Sequence, residues 1–246
     1  MPARQLEGAA LLVAGHGAPG VGAFDASAVH TLGQIGEALL ATGSPWNVRR
    51  LTATIGDRYP ADRKTIKRSL SALIDEPVRV GVLVLLGEII DLSGELALVT
   101  GAEAHDYPED ATLPLGWIRE RLANAKAQHL VVALSACGRG SPDRWLGALG
   151  TQRGHHVVAV DAPATGNPMI DALLAGLCGD ALDPQTGTVT MASLSKHLAA
   201  HSRAVQASSI DETVAQPPPL AGLWDVRHSQ LANRPRPRRA GELEDL

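Results

Sequence analysis

Short runs of uninterrupted aliphatic residues, separated by longer segments with helical periodicity, constrain the fold of this chain more than any other feature. Each run is apolar at consecutive positions, which is typical of a parallel strand that is covered on both faces. The intervening segments repeat apolar residues at the spacing of crossover helices. We therefore predict an α/β fold, a doubly wound, mostly parallel sheet with helices on both faces. The predicted strands cover residues 9–14, 47–54, 78–86, 129–134 and 157–160.

The same periodicity predicts the helices and the domain boundary. Apolar helical faces occur within residues 32–40, 66–73 and 118–122, and further helices are expected over 168–177 and 191–201. After about residue 208 the composition becomes Pro-rich and then charged, which is typical of an extended segment. The sequence thus predicts one domain over residues 1–208, followed by a Pro-rich and charged segment over 209–246.

Composition and charge exclude several classes of function. The net charge is −4 and the pI is near 6.1, so no overall basic field favours nucleic acid or a membrane surface as a partner. No apolar run approaches the ~20 residues that cross a bilayer, and no secretory signal is recognisable, so a cytoplasmic location is expected. The two cysteines, Cys137 and Cys178, lack the CxxC spacing of zinc or dithiol sites. We expect no metal and no cofactor.

The residues that follow the predicted strands are the candidates for chemistry, because ligands gather at the carboxyl ends of strands in open parallel sheets. Three such places are Gly15–Gly17, Leu86–Glu88 and Ser135–Gly140. In the last of these, Cys137 lies at a glycine-rich strand exit, where a sulfur atom can be accessible and backbone N–H groups can hold an oxyanion. Cys178 lies in an apolar helix and is expected to be a buried small hydrophobe.

The order of these motifs resembles the caspase-like cysteine peptidases, in particular their bacterial caspase and metacaspase branch. ALLVAGHG resembles the first strand of the family, VGVLVLLGEIIDLSGELALVTG the third strand and its hairpin, and LPLGWIRERLANAKAQHLVVALSACGRG the helix and strand that lead to the nucleophile. The resemblance implies that Cys137 is the nucleophile and that Gly138 and Gly87 lie at the oxyanion and cleft positions. It also places Ser135 at the substrate pocket.

The chain departs from the family at the proton acceptor. Family members carry a histidine between two glycines after the third strand, and alignment on SGELALVT places Gly87 there, with Glu88 at the glycine of the oxyanion hole. Ser135 replaces the acidic residue with which metacaspases bind basic side chains, so their preference for Arg or Lys is not implied. Loss of the acid–base residue typically removes 10² to 10⁴ in rate.

Three functional hypotheses follow from these observations. The first is a pseudoprotease that has kept Cys137 and binds a peptide or protein partner in a regulatory or defence assembly, with homodimers or hetero-assemblies left open. The second is an active cysteine endopeptidase in which His16 is a relocated base for Cys137. The third is a nucleotide-binding protein, because Gly15–Gly20 matches GxGxxG after a strand. Against the third, Pro19 interrupts the helix that should follow, and the second strand ends without an acidic residue.

Overall fold

A computed structural model describes residues 6–15, 26–41, 45–52, 61–100, 107–150, 155–161, 167–185 and 187–201. Its helices and strands alternate along most of the chain. In chain order they are β1 (Gly8–Ala14), α1 (Ala26–Leu40), β2 (Trp46–Thr52), α2 (Arg63–Asp75), β3 (Val80–Leu92), β4 (Glu95–Val99), α3 (Pro108–Ala111), β5 (Thr112–Pro114), α4 (Leu115–Leu122), β6 (His129–Gly138), α5 (Pro142–Leu149), β7 (His155–Asp161), α6 (Pro168–Ala175), a π-helical turn (Gly176–Asp180), β8 (Leu182–Asp183), β9 (Thr188–Val189) and α7 (Met191–His201).

The central sheet is mostly parallel. Strands β2, β1, β3, β6 and β7 lie side by side in that order and all run in the same direction. Strand β4 pairs antiparallel with the second half of β3, and β5 pairs antiparallel with β4. Strands β8 and β9 form a separate small hairpin. This topology confirms the predicted α/β class.

Helices cover both faces of the sheet. We call the side packed against α1, α6 and α7 the α1 face, and the side packed against α2, α4 and α5 the α2 face. In β3, Val84 and Leu86 point to the α1 face, whereas Leu83 and Leu85 point to the α2 face, and all four side chains are buried. Because the sheet has an apolar layer on each face, the sequences of its strands are uninterrupted aliphatic runs. None of the helices in the described ranges is long and apolar enough to span a bilayer.

The third and fourth predicted strands are longer than the sequence indicated. Strand β3 continues past residue 86 to Leu92, and β6 continues past residue 134 to Gly138, because the two strands stay in register as far as Ile89 and Gly138. Strand β3 then turns into β4 through Ser93 and Gly94, whose φ values are 54° and 96°. Two successive positive φ values are typical of the type I′ turn, which suits the right-handed twist of a hairpin.

Helix α3 was not predicted, and two longer helices also differ from the prediction. Helix α1 begins at Ala26, before the predicted apolar face, and α5 was not predicted. Ser141 caps α5 by accepting a hydrogen bond from the Arg144 N–H at 3.4 Å, and Pro142 occupies its first turn. A helix of eight residues offers too few turns for its period to be recognised. The predicted domain boundary at residue 208 lies outside the described residues.

The fit of Gly87 between strands generates a prediction about stability. A Cβ atom at Gly87 would collide with Cδ1 of Leu98, which is fully buried, so Gly87→Ala is expected to lower the free energy of unfolding by about 1–3 kcal/mol. The control is Gly147→Ala in α5, where a Cβ meets no atom within 4 Å and the gain in helix propensity is up to about 1 kcal/mol. Urea unfolding measures both variants. Equal stability of Gly87→Ala and the wild type would contradict the packing.

His129 generates a prediction about pH. It is the first residue of β6 and its N–H donates to the Arg79 carbonyl, and burial together with the charge of Arg79 lowers the pKa of its imidazole. The stabilising effect of the neutral ring is therefore complete above the unfolded pKa of about 6.5 and declines as the pH falls toward the folded pKa. His129→Gln is expected to flatten the loss of stability below pH ~6.5 in urea unfolding. Parallel curves for variant and wild type would contradict this.

Candidate functional site at the carboxyl edge of the sheet

Cys137 lies where β6 leaves the sheet. It is the last residue but one of that strand, it is partly exposed, and it forms no disulfide. Gly138 follows with a φ of 104°, and a Cβ atom there would collide with the Ile89 carbonyl oxygen. The Arg139 N–H donates to that same oxygen at 2.7 Å. The turn after Cys137 therefore packs directly against the backbone of β3. Only glycine can occupy position 138 at this close approach.

The residue beside Cys137 on the neighbouring strand is Glu88. The register of the parallel pair sets Glu88 opposite Cys137 and Gly87 opposite Ala136. Side chains at paired positions point to the same face, about 4.8 Å apart, and successive residues alternate between faces. Glu88 and Cys137 thus share the α1 face, on which Leu86 also lies.

Gly87 points to the opposite face of the sheet. A side chain there would meet Leu98 of β4, which packs on the α2 face. Alignment of the motifs placed Gly87 where the family has its histidine, but the structure does not bring that position beside Cys137. Gly87 lies in the middle of β3, and the strand runs through it without a loop.

Ser135 is a buried link between β6 and the start of α6. It is fully buried, and its Oγ donates to Oδ1 of Asn167 at 3.0 Å. The same Oδ1 accepts from the Ile170 N–H at 3.3 Å and so caps α6. Because its hydroxyl is engaged and covered, Ser135 does not present a side chain to solvent. Ser135 was predicted to line a substrate pocket, but its side chain is buried in this structure.

Asn167 is a site residue that sequence reasoning missed. It is 3% exposed, and its buried Nδ2 has no hydrogen-bond partner among the described residues. Its only signal in the sequence was the dipeptide Asn167-Pro168, which is typical of a helix start. Nothing in the sequence indicated that the cap would also hold Ser135.

Two contacts from α5 and the β3–β4 hairpin hold the turn after Cys137. Trp145, which is 1% exposed, donates from Nε1 to the Arg139 carbonyl at 2.8 Å. Arg144 forms a salt bridge at 3.3 Å with Asp91, whose carboxylate also accepts from the Gly94 N–H at 2.6 Å. The turn is therefore fixed from both sides before any ligand arrives.

His16 and the rest of the GxGxxG segment beyond Gly15 lie outside the described residues. Gly15 itself donates its N–H to the Leu86 carbonyl at 2.7 Å, and a Cβ atom on it would lie 2.7 Å from the Val99 carbonyl oxygen. Strand β1 ends just before Gly15, and β4 lies beside β3 on the same side as β1.

The described histidines in strands lie at the other edge. His129, His155 and His156 are at the amino ends of β6 and β7. His197 lies in α7, where its Nε2 is 3.1 Å from the Ala172 carbonyl oxygen. Within the part of the chain that the structure describes, no group of three His, Cys, Asp or Glu side chains is arranged to hold a metal.

Cys178 behaves as a packing residue. It is partly buried in the π-helical turn and packs against the core of the α1 face. Burial raises the pKa of its thiol, and the nearby charge of Asp180 raises it further. A thiol with a raised pKa carries less thiolate and is less reactive.

Comparisons with known proteins show a likeness to solved structures. No protein-family model matches the chain, and no curated protein matches it. Among solved structures, it is similar to the crystal structure of the Drosophila initiator caspase Dronc, with a TM-score of 0.48 and 11% sequence identity. The match covers 71% of this chain and 66% of that chain, just under two thirds of its length. At this level of similarity the comparison provides no residue-by-residue correspondence.

Proposed function

We propose that this chain is a caspase-like domain with little or no peptidase activity, which binds a peptide or protein partner at the carboxyl edge of its sheet. The observation that carries the proposal is the unbroken pairing of β3 with β6, which sets Glu88, not a histidine, opposite Cys137 on the neighbouring strand. A cysteine peptidase needs an imidazole or an equivalent base within reach of its thiol.

A carboxylate is poorly suited to that role. Carboxyl groups as a class have pKa values about 4 units below those of thiols, so moving a proton from a thiol to a carboxylate costs about 6 kcal/mol. An ionised carboxylate also repels a thiolate at the spacing of neighbouring strands. Glu88 therefore does not supply the imidazole that takes the thiol proton and returns it to the leaving amine.

The rigid surroundings of Cys137 favour binding. The turn over Gly138–Gly140 is fixed by backbone bonds to β3 and by Trp145, and the hairpin beside it is tied to α5 through Asp91 and Arg144. A preformed surface loses little conformational entropy when a partner binds. The resemblance of the motifs to caspase-like peptidases makes a polypeptide the partner class that we propose.

One observation favours the second candidate, an active endopeptidase with His16 as base. Gly15 is bonded to Leu86, so His16 follows a residue that lies beside the carboxyl half of β3. Cys137 lies in β6, on the other side of β3, so the backbones of Gly15 and Cys137 are about 10 Å apart at the spacing of two sheet neighbours. Two side chains can meet over that distance only if both extend toward each other.

Labelling by peptide acyloxymethyl ketones tests the proposal. The Cys178→Ala variant keeps Cys137 as its one thiol. We expect the intact mass of this variant to show no more ketone adduct than non-catalytic alkylation of a thiol produces. Iodoacetamide serves as the control for access, because the partly exposed Cys137 should react with it. Fast ketone labelling that is lost in both Cys137→Ala and His16→Ala would contradict the proposal and establish the endopeptidase.

The position beside Cys137 also predicts a gain of function. Glu88→His places an imidazole opposite the thiol, so the rate of ketone labelling is expected to rise about tenfold or more, within the range of acid–base catalysis. Gly87→His is the matched control, since its side chain would point to Leu98 on the other face. The control should give no rise in rate and a lower stability. A rise with Gly87→His alone would show that the register assigned to β3 does not describe the site.

A further inference from the structure

A group of basic side chains surrounds a tryptophan on the α2 face, away from Cys137. Lys67 of α2 lies with its Nζ 4.8 Å from the centroid of Trp117, and Arg121 of α4 lies with its Cζ 5.2 Å from the same centroid. The two cationic groups are therefore no more than about 10 Å apart. Arg63, one turn before Lys67, completes what we call the basic–aromatic cluster: Arg63, Lys67, Trp117 and Arg121.

The cationic groups of this cluster repel one another. Neither Lys67 nor Arg121 forms a salt bridge within the described ranges, whereas Arg79, Lys126 and Arg144 each pair with a carboxylate. Burial lowers the pKa of Lys67, and the charges of Arg63 and Arg121 lower it further. Like charges that repel one another cost stability, and an incoming anion would offset that repulsion.

Arg63 adds a second guanidinium to the cluster. Its Nη1 donates to the Glu109 carbonyl oxygen, which holds the guanidinium in place. Its Nε is buried and has no hydrogen-bond partner in the part of the chain described. A guanidinium that is held in place and keeps further N–H groups is suited to donate hydrogen bonds to a carboxylate oxygen.

We propose that the basic–aromatic cluster binds an acidic segment of a partner protein. Carboxylates of that segment would accept from Lys67, Arg121 and Arg63, while an apolar side chain packs on the partly exposed ring of Trp117. The ring already holds two of the cations by cation–π attraction, so less side-chain freedom is lost when the partner binds. The cluster lies on the α2 face, so this site is independent of the one proposed around Cys137.

The surroundings favour a short acidic peptide over nucleic acid. The cluster is compact, whereas a nucleic acid is bound along a basic stripe that follows several phosphates. Glu109, Asp110 and Glu120 lie beside it in sequence and in the fold, and the whole chain carries a net charge of −4. An extended phosphate backbone would meet these acids, but a short peptide can stay within the cluster.

Fluorescence anisotropy tests the proposal with a short fluorescein-labelled peptide rich in Glu and Leu. We expect it to bind at low salt, and we expect Lys67→Gln together with Arg121→Gln to weaken binding about tenfold. The matched control is Lys64→Gln together with Arg68→Gln, which removes the same charge from exposed positions of α2. The control should change the affinity less than about twofold.

Several outcomes would overturn the proposal. Equal losses in the two double variants would show a diffuse field instead of a defined cluster. Equal binding of the same peptide with Gln in place of Glu would show that carboxylates are not recognised. Tighter binding of an oligothymidylate of similar length would assign the surface to nucleic acid, and failure of the acidic peptide to bind at low salt would remove the site.

Unfolding in the absence of peptide provides a second measurement. Added salt screens repulsion between exposed charges, so it should stabilise the wild type more than it stabilises Lys67→Met, which keeps the packing on Trp117 and removes the charge. An identical response to salt would show that the cluster carries no uncompensated repulsion. Both this result and the binding assay are independent of whether Cys137 has any activity.

Discussion

The parallel pairing between β3 and β6 is the interaction on which the rest of the structure depends. These two strands form the centre of the sheet, and each carries buried side chains on both faces. Because their register continues to Ile89 and Gly138, it also decides which side chains meet at the carboxyl edge. The packing of the two apolar layers therefore determines the chemistry beside Cys137, since a slip of one residue would turn every side chain to the wrong face.

The fold was predictable from the sequence because its strands are buried on both faces. Runs such as AALLVA and VGVLVLL have no polar face to interrupt them, and the helices between them have clear apolar stripes. The end of β3 was less predictable. In VGVLVLLGEII, Gly87 and Glu88 interrupt the apolar run after Leu86, so the pattern does not indicate that the strand continues through them.

The site was less predictable because it depends on faces and on distant contacts. A motif alignment orders Gly87 and Glu88 along the chain, but an error of one position reverses the face to which a strand residue points. The hydrogen bond between Ser135 and Asn167 joins residues that are far apart in the sequence, so no local sequence pattern predicts it. Cys137, by contrast, was identified in the sequence from the glycines that follow it. Gly138 and Gly140 both adopt positive φ values, which favour glycine.

The position of β4 has a consequence for access to the sheet. In sheets with this strand order, small ligands usually enter the crevice between the first and third strands, where the chain changes direction across the sheet. Here β4 lies in line with β1, and its Val99 carbonyl faces Gly15 at the mouth of that crevice. The hairpin therefore occupies the space beside β3 beyond Gly15, whereas Cys137 lies on the other side of β3, in β6.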